Sequence, residues 1–136
     1  MATLLMRYQP DPTDEVGRLW FELQTESFSD TTYFWSNLSE LPEMIEKLRT
    51  YLWDKPVRWA WGFNEVKGND AVAMLEISKA GEGGGLKATV ELANYDDTSQ
   101  RLSASLRPDY VSLDVLRREL SAMYDQRTGE AVLTGQ

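Results

Sequence analysis

Four consecutive segments in the middle of the chain alternate apolar and polar residues, and they restrict the possible folds more than any other feature of the sequence. The segments are Val57 to Asn64, Ala71 to Lys79, Leu86 to Asn94 and Gln100 to Leu106. A period of two residues indicates half-buried β-strands. The connections VKGND, AGEGGG and NYDDTS have the length of hairpin turns, which join antiparallel neighbours. The sequence therefore predicts an antiparallel meander.

The segments before the meander predict further strands and one helix. Thr3 to Tyr8 and Arg18 to Glu26 have the pattern of strands, and residues 39–53 place apolar side chains at helical spacing with Ser39 as the predicted N-cap. Residues 28–37 mix three aromatic residues with small polar ones and show no clear period. A strand, an aromatic loop and a lead-in to the helix all stay open for this segment.

The end of the chain predicts a second helix and a tail. An apolar stripe at helical spacing contains Leu113, Leu116, Leu120 and Met123. Ser112 is the predicted cap of this helix. Residues 127–136 have little periodicity, so we predict a flexible C-terminal tail there, after a single domain spanning residues 1–126. The fold class is α+β, with a mostly antiparallel sheet of about five or six strands and two amphipathic helices packed on one face.

Charge limits the classes of partner. The 136 residues contain 14 Lys and Arg against 22 Asp and Glu, a net charge of −8. This balance repels phosphate backbones at long range and would steer a basic partner toward the surface, so we expect a basic protein partner and no nucleic acid. MATLLMRYQP lacks the apolar core of a signal peptide, and no later run is long enough for a membrane helix. We therefore predict a cytoplasmic protein without membrane contact.

Catalysis is not expected, because the chain contains no cysteine and no histidine. This removes thiolate nucleophiles, the usual general base near neutral pH and the commonest ligands of zinc. Carboxylates in the strand segments could meet across strands, but the sequence does not give the separation that an acid–base pair needs. The glycine run at residues 81–85 lies between strands and is not followed by the lysine of a phosphate loop. We predict no catalytic residue, no metal and no cofactor, and leave calcium binding by the acidic turns DPTDE and NYDD open.

The stretch VRWAWGF, residues 57–63, places Trp59 and Trp61 on one face of a strand and Arg58 on the other. Two indoles that face the helices would belong to the core, and this is the preferred interpretation. The alternative is an exposed aromatic patch or a ligand pocket formed by the same two rings. Arg58 is a candidate binding residue because arginine is common among the residues that dominate binding energy at protein interfaces.

A second aromatic group lies outside the meander. Trp20 is on the polar face of its strand, and Tyr33, Phe34 and Trp35 follow in the segment without a clear period. Tryptophan and tyrosine are frequent at the energetic centres of protein interfaces. We predict that these four residues form an aromatic surface outside the core and bind a partner.

A helix ending near Trp53 is followed by the strands VRWAWGF and GGGLKATVEL and by a closing helix, VSLDVLRRELSAMY. This order, from about Arg18 to Tyr124, resembles a group of small acidic bacterial proteins of unknown or immunity function, including the immunity partners of wall-associated polymorphic toxins. The resemblance implies a non-enzymatic protein that neutralises a toxin by binding it, and an acidic surface would suit a basic toxin. It assigns no functional residue one to one.

The resulting expectation is a non-catalytic binding protein, and the resemblance implies more finely an immunity-type inhibitor that binds a basic protein. Two alternatives stay open. The first is a small-molecule binding domain with a pocket between the Trp59/Trp61 strand and a helix. The second is a self-associating subunit in which an unpaired edge strand completes a homodimer.

Overall fold

The computed structural model describes residues 1–49, 55–62, 71–79 and 85–136. In these ranges the chain forms eight strands and two helices. Their bounds are β1 Ala2–Gln9, β2 Gly17–Gln24, β3 Ser29–Ser36, α1 Leu41–Arg49, β4 Val57–Trp61, β5 Ala73–Lys79, β6 Leu86–Ala93, β7 Arg101–Leu106, α2 Tyr110–Gln126 and β8 Gly129–Gly135. The predicted α+β class is confirmed.

The strands form two four-stranded sheets, with the orders β3-β2-β1-β8 and β4-β5-β6-β7. Every neighbouring pair is antiparallel. The predicted meander is therefore confirmed as the second sheet. The prediction of one sheet of about five or six strands is too coarse, because β3 and β8 add to the first sheet and the two sheets are separate. The far end of the β4 segment, the connections at residues 63–70 and 80–84, and the predicted helix end near Trp53 lie outside the described residues.

Residues 28–37, the segment without a clear period, contain strand β3. It pairs with β2 along its whole length, so that Tyr33 lies opposite Trp20. The turn between the two strands is closed by Thr25, whose hydroxyl oxygen accepts hydrogen bonds from the backbone N–H groups of Ser27 and Phe28. Such local bonds from threonine are typical of turns. Residues 25–28 therefore form the hairpin turn between β2 and β3.

The predicted flexible tail at residues 127–136 is wrong. Arg127 takes a left-handed conformation, with a φ of 57°, and its backbone N–H caps α2 by bonding to the carbonyl of Met123. The chain then forms β8, which pairs with β1 and buries Ala131 and Leu133. The sequence pattern does not predict this strand, because Ala131 and Leu133 are its only buried apolar residues and two positions are too few to show a period of two. A glycine also lies at each end of the strand.

Both helices carry the apolar stripes expected of them, and they contact each other. Helix α2 also lies along β8, where the Glu119 carboxylate accepts a hydrogen bond of 3.0 Å from the backbone N–H of Val132. An edge strand leaves such N–H groups unpaired, so α2 covers part of this edge. The predicted N-cap Ser112 is wrong: Asp109 is the N-cap, and its carboxylate accepts from the Ser112 N–H. Within the described ranges, neither helix has the length and apolarity to cross a bilayer.

The core lies between the inner faces of the sheets and the helix stripes. Trp59 and Trp61 are 6% and 2% exposed and belong to it, in agreement with the preferred interpretation of the alternating tryptophans. Phe34 packs directly against Gly62 at the end of β4. Gly62 has a φ of +72°, and a Cβ atom there would lie 2.7 Å from the Phe34 ring. Only glycine accommodates both the backbone conformation and the ring.

We predict that Gly62→Ala destabilises the fold, because alanine at a positive φ is strained by about 1 kcal/mol or more and its methyl group would displace the Phe34 ring. The free energy of unfolding from urea denaturation measures the effect. Gly85→Ala is the matched control, since a Cβ atom there meets nothing within 4 Å. Equal stabilities of the two variants would contradict this account of Gly62.

A second prediction concerns the pH dependence of stability. Hydrogen bonds from the backbone and side chain of Ser112 hold the pKa of the Asp109 carboxyl below its ordinary value. The unfolded chain therefore binds this proton more readily, and the stabilisation is present above the ordinary pKa and lost as pH falls through the lower folded one. We expect Asp109→Asn, which caps without titrating, to lose less stability than wild type between about pH 5 and pH 2. Parallel stability curves for the two proteins would contradict this.

Candidate binding face

The sheet β3-β2-β1-β8 has one face toward the core and one face toward solvent. In β2, Leu19, Phe21 and Leu23 are buried, whereas Arg18 and Glu22 are exposed. Side chains of a strand alternate between the two faces, and directly paired residues of neighbouring strands share a face. The registers of β1, β2 and β3 therefore bring an arginine and aromatic cluster together on the outer side. We call it the arginine–aromatic face; it consists of Arg7, Arg18, Trp20, Tyr33, Trp35 and Tyr95.

One row of this face runs across three strands. Arg7 lies opposite Trp20, and Trp20 lies opposite Tyr33. The Arg7 guanidinium carbon is 5.7 Å from the centroid of the Trp20 ring, and the Trp20 and Tyr33 rings are 4.7 Å apart. Tyr95, in the loop after β6, stacks on Tyr33 at 5.7 Å with an angle of 18° between the planes. The row is thus a continuous series of ring contacts that begins with a cation, with Trp20 and Tyr33 tilted by 39° and Tyr33 and Tyr95 stacked.

The second arginine joins this row to the most exposed ring of the face. The Arg18 guanidinium carbon lies 5.4 Å from the Tyr33 ring centroid and 5.0 Å from that of Trp35, which is directly opposite it in the sheet. Trp35 is 44% exposed. Cations over aromatic rings are attracted by the ring quadrupole, which holds the side chains in place. The face therefore presents fixed cations and an accessible indole.

Neither arginine of the face forms an ion pair with a carboxylate of the described residues. Among the described residues, neither Arg7 nor Arg18 has a carboxylate oxygen within 4.0 Å, although Glu130 lies opposite Arg7 on β8. Asp11 is at the border of the face. Its pKa is lowered chiefly by hydrogen bonds from Thr13, with a smaller contribution from the charge of Arg18. Both guanidinium groups keep N–H donors for an external acceptor.

A shallow cleft opens beside Trp35. It has a volume of about 240 Å³, and it is lined by Gln9, Pro10, Asp11, Pro12, Arg18 and Trp35. A larger cleft of about 490 Å³ lies on the other side of the β1–β2 loop and is lined by Asp14, Glu15, Tyr124 and Arg127 among others. The Arg127 guanidinium is already engaged there, because it lies over the Tyr124 ring and donates to the carbonyl of Asn37. The first cleft extends the arginine–aromatic face, and the second does not.

The structure separates the residues predicted for binding. Trp20, Tyr33 and Trp35 come together on the arginine–aromatic face. Phe34 is wrong as a surface residue, because the alternation of β3 turns it inward and it is 2% exposed. Trp59 and Trp61 are in the core.

Arg58 is exposed but lies on the other sheet, opposite Glu76, so it takes no part in the face. Sequence reasoning missed Arg7, Arg18 and Tyr95. Arg7 and Arg18 alternate with buried residues along β1 and β2, and this alternation could have placed both arginines on the outer side of the sheet. Tyr95 comes from a distant loop and gives no comparable signal.

The arrangement offers binding chemistry. In the described ranges no group of three or more acidic side chains is close enough to hold a metal ion. Guanidinium groups that rest on aromatic rings suit carboxylates, phosphates and flat apolar surfaces. The face can therefore bind a partner by charge-assisted hydrogen bonds and ring contacts together.

Comparisons with known proteins found little. No family model matches the chain, and no curated protein matches it. Among solved structures, the chain is similar to WHY1 from Arabidopsis thaliana with a TM-score of 0.48 and 13% sequence identity. The similarity covers 80% of this chain and 62% of that one, so the chain spans less than two thirds of the length of WHY1.

The prediction that nucleic acid is not a partner is corrected, because a net charge of −8 does not by itself exclude such a partner. The physical weakness of the prediction is that net charge sums over the whole surface, whereas a ligand contacts a local patch. The arginine–aromatic face shows that a chain with a net charge of −8 can still present unpaired cations. A likeness at this TM-score does not itself indicate what this chain binds.

We predict that Arg18→Gln lowers the quenching of tryptophan emission by iodide and leaves quenching by neutral acrylamide nearly unchanged. The reason is that the Arg18 charge attracts the anion to the exposed Trp35 ring 5.0 Å away. Stern–Volmer titrations measure both effects. Arg118→Gln, at an exposed position of α2, is the control and has to leave iodide quenching as in wild type. An unchanged iodide response in Arg18→Gln would contradict the placement of the two side chains.

Proposed function

We propose that the chain is a non-catalytic binding protein that holds a protein partner on the arginine–aromatic face. The observation that carries the proposal is the position of Arg18 between Tyr33 and the exposed Trp35. Tryptophan, tyrosine and arginine are the residues that most often dominate the energy of protein interfaces. Five of the six residues of the face lie on paired strands, and each of the six contacts another residue of the face, so less side-chain freedom remains to be lost on binding.

The finer proposal is an immunity-type inhibitor of a basic protein. It is supported by the net charge of −8, which steers a basic partner toward the domain, and by the residue patterns that resemble immunity proteins. The alternative of a small-molecule pocket at Trp59 and Trp61 has less support, because both rings are buried in the core. A binding surface of the chain is better sought where aromatic rings and cations are accessible.

The experiment places a photo-crosslinking amino acid at position 35 and, in a second protein, at position 28. Phe28 is the matched control, since it is an exposed aromatic residue, 59% accessible, that lies in the β2–β3 turn and outside the face. We expect one protein partner to be captured from position 35 and not from position 28. The finer proposal is also supported if the captured partner is basic and if the wild-type protein neutralises its activity whereas variants of Trp35 do not.

Affinity for the captured partner then gives the quantitative test. We expect Trp35→Ala to weaken binding by about 2 kcal/mol, roughly thirtyfold, because a central tryptophan contributes most when an interface excludes water around it. Phe28→Ala has to bind nearly as wild type in the same isothermal titrations. Equal losses for the two variants, or none, would place the binding surface elsewhere.

A further inference from the structure

We infer that the partner presents an acidic segment to the arginine–aromatic face, with two carboxylates bound by Arg7 and Arg18 and an apolar side chain packed on Trp35. This inference rests on the proposed function and names the chemistry of the partner at that surface. It is carried by two exposed guanidinium groups that have no carboxylate within 4.0 Å among the described residues and that aromatic rings hold in place.

The positions of the two arginines specify the spacing of the carboxylates. Arg7 pairs with Trp20 and Gln9 pairs with Arg18, so the arginines are diagonal neighbours on adjacent strands. Diagonal neighbours on one face of an antiparallel pair lie about 7–8 Å apart. In an extended peptide, residues i and i+2 share a side and are about 6.6 Å apart. An extended segment with acidic residues at alternate positions therefore matches the pair.

The ring contacts favour carboxylates over nucleobases as the bound groups. A base needs a free ring face on which to stack. Trp20 and Tyr33 contact each other, Tyr33 also stacks on Tyr95, and Arg18 lies over both Tyr33 and Trp35. The Trp20 and Tyr33 rings are therefore engaged within the protein, and Trp35 is the one ring of the face that is largely accessible. Both guanidinium groups keep N–H donors for carboxylates. Single-stranded nucleic acid is the competing occupant, and it becomes an arm of the test.

The net charge of the domain does not prevent this contact. At physiological ionic strength, charges more than about 8 Å apart are largely screened, so the distant acidic residues act mainly on approach. The energy of the bound complex depends on the charged groups that touch each other. Glu22 and Glu130 are on the same side of the sheet, with Glu130 directly opposite Arg7, and neither carboxylate lies within 4.0 Å of the Arg7 or Arg18 guanidinium. A positive island bordered by carboxylates is complementary to an acidic segment within a basic surface, which fixes the orientation of a basic partner.

The test uses the whole protein and blocked eight-residue peptides as probes. The first peptide has glutamate at positions three and five and leucine at position seven, with serine and threonine elsewhere. Its controls replace both glutamates with glutamine or with lysine, or place them at adjacent positions. A twelve-residue oligothymidylate is the nucleic-acid arm. Chemical shifts of the tryptophan indole N–H groups report binding at Trp35 and Trp20 and give the dissociation constants.

We expect the alternating glutamate peptide to bind about tenfold more tightly than the glutamine peptide, the combined effect of two exposed ion pairs. The double variant Arg7→Glu, Arg18→Glu has to reverse the preference and favour the lysine peptide. Arg118→Glu, on α2, is the control for a change of net charge and has to retain the wild-type preference. A correctly folded double variant is recognised by its unchanged melting temperature and dispersed spectrum.

The outcomes separate the inference from the proposed function. Equal binding of the glutamate, glutamine and lysine peptides at Trp35 would overturn the inference and leave a protein-binding face. Tighter binding of the oligothymidylate than of the alternating peptide would overturn it in favour of nucleic acid. Absence of any shift at Trp35 with every probe would also overturn it, whereas the proposed function is decided by crosslinking at position 35.

Discussion

An aromatic contact in the core joins the two sheets. The ring of Phe21 in β2 is 5.8 Å from Phe34 of its own sheet and 5.3 Å from Trp61 of the other, and each of the three residues is at most 2% exposed. Ring pairs of this kind contribute beyond their buried area. Because the contact requires Phe34 to reach the end of β4, it explains why a glycine follows Trp61. It also fixes which face of β3 points inward.

Backbone and side-chain hydrogen bonds hold the sheets together at two further places. The Thr32 hydroxyl donates to the carbonyl of Ala93 at the end of β6, and Arg107 and Gln136 exchange two backbone hydrogen bonds of 3.1 Å beyond β7 and β8. Buried polar groups need such partners. Because Thr32 and Phe34 of β3 point inward, the alternation of the strand turns Tyr33 and Trp35 outward, toward Arg18. The arginine–aromatic face is therefore a consequence of how the core is closed.

The meander, the two helix stripes and the burial of Trp59 and Trp61 could be predicted, because each depends on a local period. Strand β3 could not, since two of its inward positions are Thr32 and Ser36, which are buried through hydrogen bonding or small size. Strand β8 is stable only as a partner of β1, far away in sequence. The sequence predicts Trp20, Tyr33 and Trp35 as surface aromatic residues, and it wrongly adds Phe34, which is buried. The cations were not, because their contacts with the rings depend on strand register.

Charge acts on this protein at two distances, and the distinction decides what its composition can say about function. A net charge of −8 describes the field that an approaching molecule meets, and it governs the rate and the sign of long-range attraction. The chemistry of contact is decided over a few ångströms, and within 4.0 Å of Arg7 and Arg18 the described residues place no carboxylate oxygen. Composition alone led to the exclusion of nucleic acid, and a local cationic surface removes the basis of that exclusion. The same surface gives an acidic protein a means of discriminating between the ways in which one partner can dock, because only one orientation brings carboxylates to both arginines and an apolar side chain to Trp35.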